Sequence, residues 1–242
     1  MKTTAWKLYV AVCALVALTY FVVETTSLSK LVLYNGIGAS AVVAVLVGIR
    51  RNQPENKRTW YFVAAGMGSF LTADVVYYVL EIVRNAVPFP SPADFFYLGM
   101  YPLMIIGLVG LLRSVSPGRD VAGLLDAGLV AVATFAVLGI LVMDSYIADP
   151  SLELSGRLIS LAYPVMDVAL VAVAARLVAA VHIRQTSFAL MTLGLSSLMV
   201  ADTIYGILNT AGTFQTGGFA DAFWLGFYVL IAAGALHPSM GE

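Results

Sequence analysis

Residues 73–96 read "ADVVYYVLEIVRNAVPFPSPADFF": an aspartate, Asp74, inside an apolar run, then a proline-rich break, then a second aspartate, Asp94. Residues 201–224, "ADTIYGILNTAGTFQTGGFADAFW", follow the same plan with Asp202 and Asp221. A shift of 128 lays residues 66–82 on 194–210 and matches Gly66/Gly194, Ser69/Ser197, Ala73/Ala201, Asp74/Asp202, Tyr77/Tyr205 and Leu80/Leu208. A shift of 127 lays "ADFFYLGMYPL" on "ADAFWLGFYVL" and matches Asp94/Asp221, Phe96/Phe223, Leu98/Leu225, Gly99/Gly226 and Tyr101/Tyr228, with the slip falling in the break. Apolar matches between greasy segments arise by chance; paired acids, tyrosines and glycines in order do not.

The surrounding chain says what kind of segments these are. Of 242 residues, 60% are hydrophobic and 11% charged, where an ordinary soluble domain carries about 25% charge. Apolar runs near the roughly 20 residues that cross a bilayer occur at 6–23, 31–49, 60–83, 93–112, 121–143, 157–181, 187–208 and 219–236. Polar, turn-rich breaks separate them. The chain reads as an all-α membrane protein with eight transmembrane helices.

Lys2, Lys7, Arg50, Arg51, Lys57, Arg58, Arg113, Arg119, Arg176 and Arg184 fall on one side of this alternation, and only Lys30, Arg84 and Arg157 on the other. By the positive-inside rule the first side is cytoplasmic, with both termini there. The basic, apolar opening has signal-peptide character but lacks a small-x-small cleavage site, so it reads as the first span. Residues 1–118 and 119–242 then form two four-helix repeats in one membrane domain. Four is even, so the repeats are parallel and related by an axis along the membrane normal.

A carboxylate facing lipid costs a few kcal/mol or more, so such groups face the bundle interior, pair, or line a wet cavity. Asp74 and Asp202 are expected to point inward from the outer half of helices 3 and 7. Tyr77 and Tyr205 lie three residues on, sharing a helix face with them. Helices 4 and 8 bring Asp94, Tyr101, Asp221 and Tyr228, and helix 6 brings Tyr163 and Asp167. Together these ten residues outline an outward-facing vestibule of aromatics and carboxylates between the repeats. The plainer readings make Asp94 and Asp221 complements of helix N-termini, as "SPAD" suggests, Tyr97 and Trp224 part of an interfacial aromatic belt, and Asp74 and Asp202 structural glue bonded to Ser69, Ser197 or a tyrosine. Pro102 and Pro164 each release a carbonyl one turn back.

Other chemistries find no footing. The lysines, Lys2, Lys7, Lys30 and Lys57, lie at loops or helix ends, so no Schiff base forms within the bundle. His182 and His237 form an interfacial pair rather than a haem site, and Cys13 is the one cysteine. No catalytic triad, metal motif or phosphate loop appears. No catalytic residue, metal or cofactor is expected.

The run "PFPSPADFFYLGMYPLMIIGLVGLLR", with "YNGIGAS", "GLLDAGLV", "YPVMD" and "ALHPSM", resembles the N-terminal multi-helix membrane region of actinobacterial signalling proteins. In that family the region precedes cytoplasmic GGDEF and EAL modules, which make and degrade cyclic di-GMP. The resemblance covers almost the whole chain, "PSPADFFYLxxYP" being its most specific element. It implies a sensor in the inner (plasma) membrane, with an effector domain in cis beyond "HPSMGE". The chain itself has no GGDEF or EAL sequence, so it reads as the sensor without its effector. The expected function is binding of a small ligand or cation and relay of that event to cytoplasmic output; a small-solute or proton-coupled transporter is the alternative. The expected partners are the bilayer, a small ligand, the effector and a second copy as a homodimer, with no nucleic acid.

Overall fold

A computed structural model describes residues 4–22, 27–84, 88–116, 118, 121–180 and 185–241, with the backbone alone at 27. Lys2, Arg119, His182 and Arg184, used above, lie outside the described residues. Among the described residues, eight long helices make up the fold: α1 (Ala5–Val22), α2 (Ser27–Asn52), α3 (Lys57–Arg84), α4 (Pro92–Val115), α5 (Val121–Ala148), α6 (Leu154–Ala180), α7 (Thr186–Thr210) and α8 (Phe219–Leu236), followed by a 3₁₀ turn at Pro238–Gly241. All eight are long and apolar enough to cross a membrane. The chain is a multi-pass, all-helical membrane protein.

The start of α4 is fixed by its sequence. Ser91 is the N-cap, accepting from the Ala93 N–H at 3.2 Å; Pro92 follows, and the Asp94 carboxylate accepts from the Ser91 N–H at 2.7 Å. This reciprocal box satisfies two otherwise orphaned donors. At the other end of a helix, α7 stops where Gly212 takes a left-handed conformation (φ 66°) and Thr213 N–H bonds back to Leu208 O at 2.9 Å. Glycine adopts that φ without a Cβ penalty.

Several helix ends move by a few residues from the sequence reading, and the end of α5 moves most. α5 does not end at Met143 but passes through a π turn, Gly139–Met143, and continues to Ala148. The polar "DSYIA" is a short helical extension because the π turn re-aims it, seating Tyr146 against the bundle at 6% exposure.

Close approach between helices rests on small residues. A Cβ on Gly48 would lie 2.3 Å from Ala235 O, one on Gly107 3.0 Å from Thr59 O, and one on Gly234 2.7 Å from Ser187 O. Bare backbone lets α2 meet α8, α3 meet α4, and α7 meet α8. Contacts between the first and last four helices run in both directions: α2 lies on α8, and α6 lies on α4. α1 also packs on α8, whereas α5 leans on α6 and α7.

The two ends of the bundle differ. At one, the Trp6 and His237 rings pack at 5.5 Å, Asn52 Nδ2 donates to Ala235 O (2.9 Å) and His237 O (3.0 Å), and Ser187 Oγ donates to Gly234 O (2.8 Å). Below the middle, Met67, Met104, Leu198, Phe227 and Ile231 are all wholly buried. At the opposite end, between the loops that follow α3 and α7, the helices part.

Candidate functional site

The parting is a cavity of about 320 Å³. Its mouth lies at Pro88, Phe89, Phe214 and Thr216, and its walls come from α2 through α8. From α3 come Phe70, Asp74, Tyr77 and Tyr78; from α4, Asp94 and Tyr97; from α6, Ser160, Tyr163, Pro164 and Asp167; from α7, Asp202, Tyr205 and Asn209; from α8, Asp221 and Trp224. Tyr34 of α2 and Leu138, Val142 and Tyr146 of α5 complete it. At 1.5 Å per residue, Asp74 sits about 15 Å below the end of α3 and Asp202 about 12 Å below the end of α7.

Hydrogen bonds to the acids come in matched sets. Asp74 accepts from Tyr97 O–H at 2.8 Å and from Tyr228 O–H at 2.7 Å. Asp202 accepts from Trp224 Nε1–H at 2.7 Å and from Tyr101 O–H at 3.0 Å. Each acid thus takes one donor from the neighbouring helix of its own half and one from the other half. Behind them, Ser69 Oγ donates to Phe96 O at 2.6 Å and Ser197 Oγ to Phe223 O at 2.7 Å, again as a pair.

The upper acids are also tied. Asp94 spends one oxygen on its capping box and accepts with the other from Tyr163 O–H at 2.7 Å. Asp221 accepts from the Gly217 N–H at 2.8 Å and from the Tyr20 hydroxyl. Tyr20 and Tyr78 meet hydroxyl to hydroxyl at 3.0 Å. Helix-terminus complementation therefore accounts for part of each carboxylate's bonding, and a phenol for another part.

Asp167 breaks the pairing. Tyr101 O–H lies 2.8 Å from Asp167 Oδ1 as well as 3.0 Å from Asp202 Oδ2. A phenol carries one hydrogen, so it donates to one of these acids at a time. Asp167 and Asp202 also lie within hydrogen-bonding reach of each other, so the two acids and Tyr101 form one cluster at the floor of the cavity.

Eight of the ten residues picked out in the sequence, Asp74, Tyr77, Asp94, Tyr163, Asp167, Asp202, Tyr205 and Asp221, line this one cavity. Tyr101 and Tyr228 do not; they stand behind the wall at 1% and 0% exposure and act through the acids they hold. Tyr77 and Tyr205 extend the polar lining of the cavity, while the acids' phenol partners are Tyr97, Tyr228 and Tyr101, because a side chain three residues on points along its own helix while donors on α4 and α8 point across. Of the bonds expected for Asp74 and Asp202, those to tyrosines form, and Ser69 and Ser197 bond to carbonyls instead.

Tyr97 and Trp224 are wall residues rather than members of a lipid-facing belt. Both carry a hydrogen-bond donor at the ring tip, and they occupy matched positions, 127 apart, a signal that could have placed them on the wall. Tyr34, Tyr78, Tyr146 and Ser160 have no like residue at the matched position of the other half. Pro164, inside α6, lacks the N–H that would bond Ser160 O, and both residues face the cavity.

Charge outside the spans is simpler. Half-buried Asp149, after α5, accepts from Ser151 Oγ and Ser151 N–H, which hold its carboxyl below the usual range. Its carbonyl takes Arg157 Nη2–H at 2.9 Å, pinning the α5–α6 connection. His237 bonds to Ser239 (2.8 Å) and meets the Trp6 ring edge-on, while its expected companion His182 lies outside the described residues.

Comparison of the chain with protein-family models, with curated proteins and with solved structures gave no match.

Proposed function

We propose that the chain is a transmembrane sensing module: a small ligand or cation enters the cavity from outside the cell, binds among Asp74, Asp202 and their neighbours, and shifts the packing of two parallel four-helix repeats, so that α8 relays the change to a cytoplasmic output domain. The observation that carries this reading is the one-sided cavity, reaching the loops after α3 and α7 but stopped by the wholly buried layer of Met67, Met104 and Phe227. A blind pocket suits a receptor better than a path.

Several features support the two-repeat arrangement. Bonds recur at shifts of 128 and 127, and tyrosines are exchanged between halves. α2 on α8 answers α6 on α4. Lys7, Arg50, Arg51, Lys57 and Arg58 gather at the end where Trp6 meets His237, which supports placing both termini in the cytoplasm. The resemblance of "PSPADFFYLGMYP" to membrane regions of actinobacterial cyclic di-GMP signalling proteins supplies the class of output.

A ligand can drive such a relay only by preferring one packing over the other. Fused after Glu242 to a diguanylate cyclase and screened against a metabolite library, the chain should change cyclic di-GMP output with some compound. D74N/D202N should insert normally and lose that response. An unresponsive wild type, or a response intact in the double variant, sinks the reading. A carrier is the second reading, favoured by the Asp167–Asp202 pair of the second half, which Tyr101 of the first half joins; solute-dependent flux through the purified chain in liposomes would select it.

A further inference from the structure

Resting on the receptor reading, we infer that the ligand is an organic ammonium ion, held by the floor carboxylates Asp74, Asp167 and Asp202 within an aromatic cage. Five aspartates line the cavity, and among the described residues no lysine, arginine or histidine joins them. Their partners are neutral phenols, an indole and backbone N–H groups. Lys30 stands at the mouth with Nζ 3.3 Å from Thr216 O and faces Asp221 there, whereas the floor acids Asp74, Asp167 and Asp202 have only neutral partners. A buried carboxylate without a counter-cation is costly, and a cationic guest supplies what the wall lacks.

Three further observations narrow the guest. At the floor two acids, Asp167 and Asp202, meet around the single Tyr101 hydroxyl, which concentrates acceptor oxygens where an ammonium N–H, or the polarised methyls of a quaternary ammonium, would sit. Two hydroxyls on the wall, Tyr34 and Ser160, are 2% and 6% exposed and have no hydrogen-bond partner among the described residues. They are polar groups waiting for a ligand rather than for the protein. The walls themselves are tyrosine, phenylalanine and tryptophan, whose ring faces attract cations.

Size points the same way. A volume of 320 Å³ would hold about ten waters, far more than a bare metal ion needs. Among the described residues no group of three or more His, Cys, Asp or Glu is set to hold a metal.

Trp224 on the wall reports occupancy by its fluorescence, since Trp6 and Trp60, the other tryptophans, lie near the far end. The purified chain is titrated with choline and phenethylammonium, with their neutral analogues 3,3-dimethylbutan-1-ol and 2-phenylethanol, and with phenylacetate. At least one ammonium should saturate the signal, with its neutral analogue at least tenfold weaker and phenylacetate silent. D74N and D202N should each weaken the ammonium at least tenfold. The comparison of charged and neutral probes on the unaltered chain stands even if a variant fails to fold. Equal binding of a neutral analogue, preference for phenylacetate, or no binding of either ammonium overturns the assignment. Any of these results alongside a responsive cyclase fusion strikes the ammonium alone, whereas an unresponsive fusion strikes the receptor reading.

Discussion

Tyr101 and Tyr228 occupy matched positions yet carry unequal burdens. Tyr228 serves one acid, Asp74, which keeps Tyr97 as a second donor. Tyr101 serves Asp167 and Asp202 together. Removing a hydroxyl leaves a buried acceptor unpaired, at a cost of about 1–3 kcal/mol. Y101F should therefore lower the unfolding midpoint in detergent more than Y228F does, and equal losses would show that the two acids at the floor do not share the hydrogen. The acids themselves were legible from sequence, because a charged group in an apolar run has few tolerable places to go. Their partners were not: period and spacing tell which residues share a helix face, but donors arriving from α4 and α8 depend on how helices cross.

Helix positions and ends were read almost to the residue where apolar length and turn chemistry agreed, as at "PSPADFF". The extension of α5 escaped because a π turn has no composition of its own and "DSYIADP" looks like a loop. That turn matters to the site, since Leu138 just before it and Val142 within it lie on the cavity wall and a Cβ on Gly206 would meet Val142 Cγ1 at 2.6 Å. Glycines separate similarly on α2 and α3. Gly48 faces the Ala235 carbonyl at a distance no Cβ tolerates, whereas Gly68 has nothing within 4 Å of its Cβ position. G48A should push α2 off α8 and lower thermal stability by several degrees. G68A should leave it unchanged or raise it slightly, in line with the helix preference for alanine of about 0.5–1 kcal/mol. Paired melting curves decide it, and a harmless G48A would contradict the close α2–α8 crossing.

Sidedness is a property of the whole bundle and is open to direct labelling. Cys13 is the one cysteine, so in a C13A background a single F89C reports the cavity mouth and a single N56C the opposite end. In intact cells F89C should react with an impermeant maleimide, and N56C only after permeabilisation; the reverse pattern would turn the cavity toward the cytoplasm. The exchanged tyrosines have one more consequence, for biosynthesis. Asp74 and Tyr228 are 154 residues apart, so at roughly 5–20 residues per second the ribosome delivers the second donor about 8–30 s after the acid. Throughout that interval the nascent first half holds an unfinished carboxylate within the bilayer, and the insertion machinery has to shelter it until the last helix arrives.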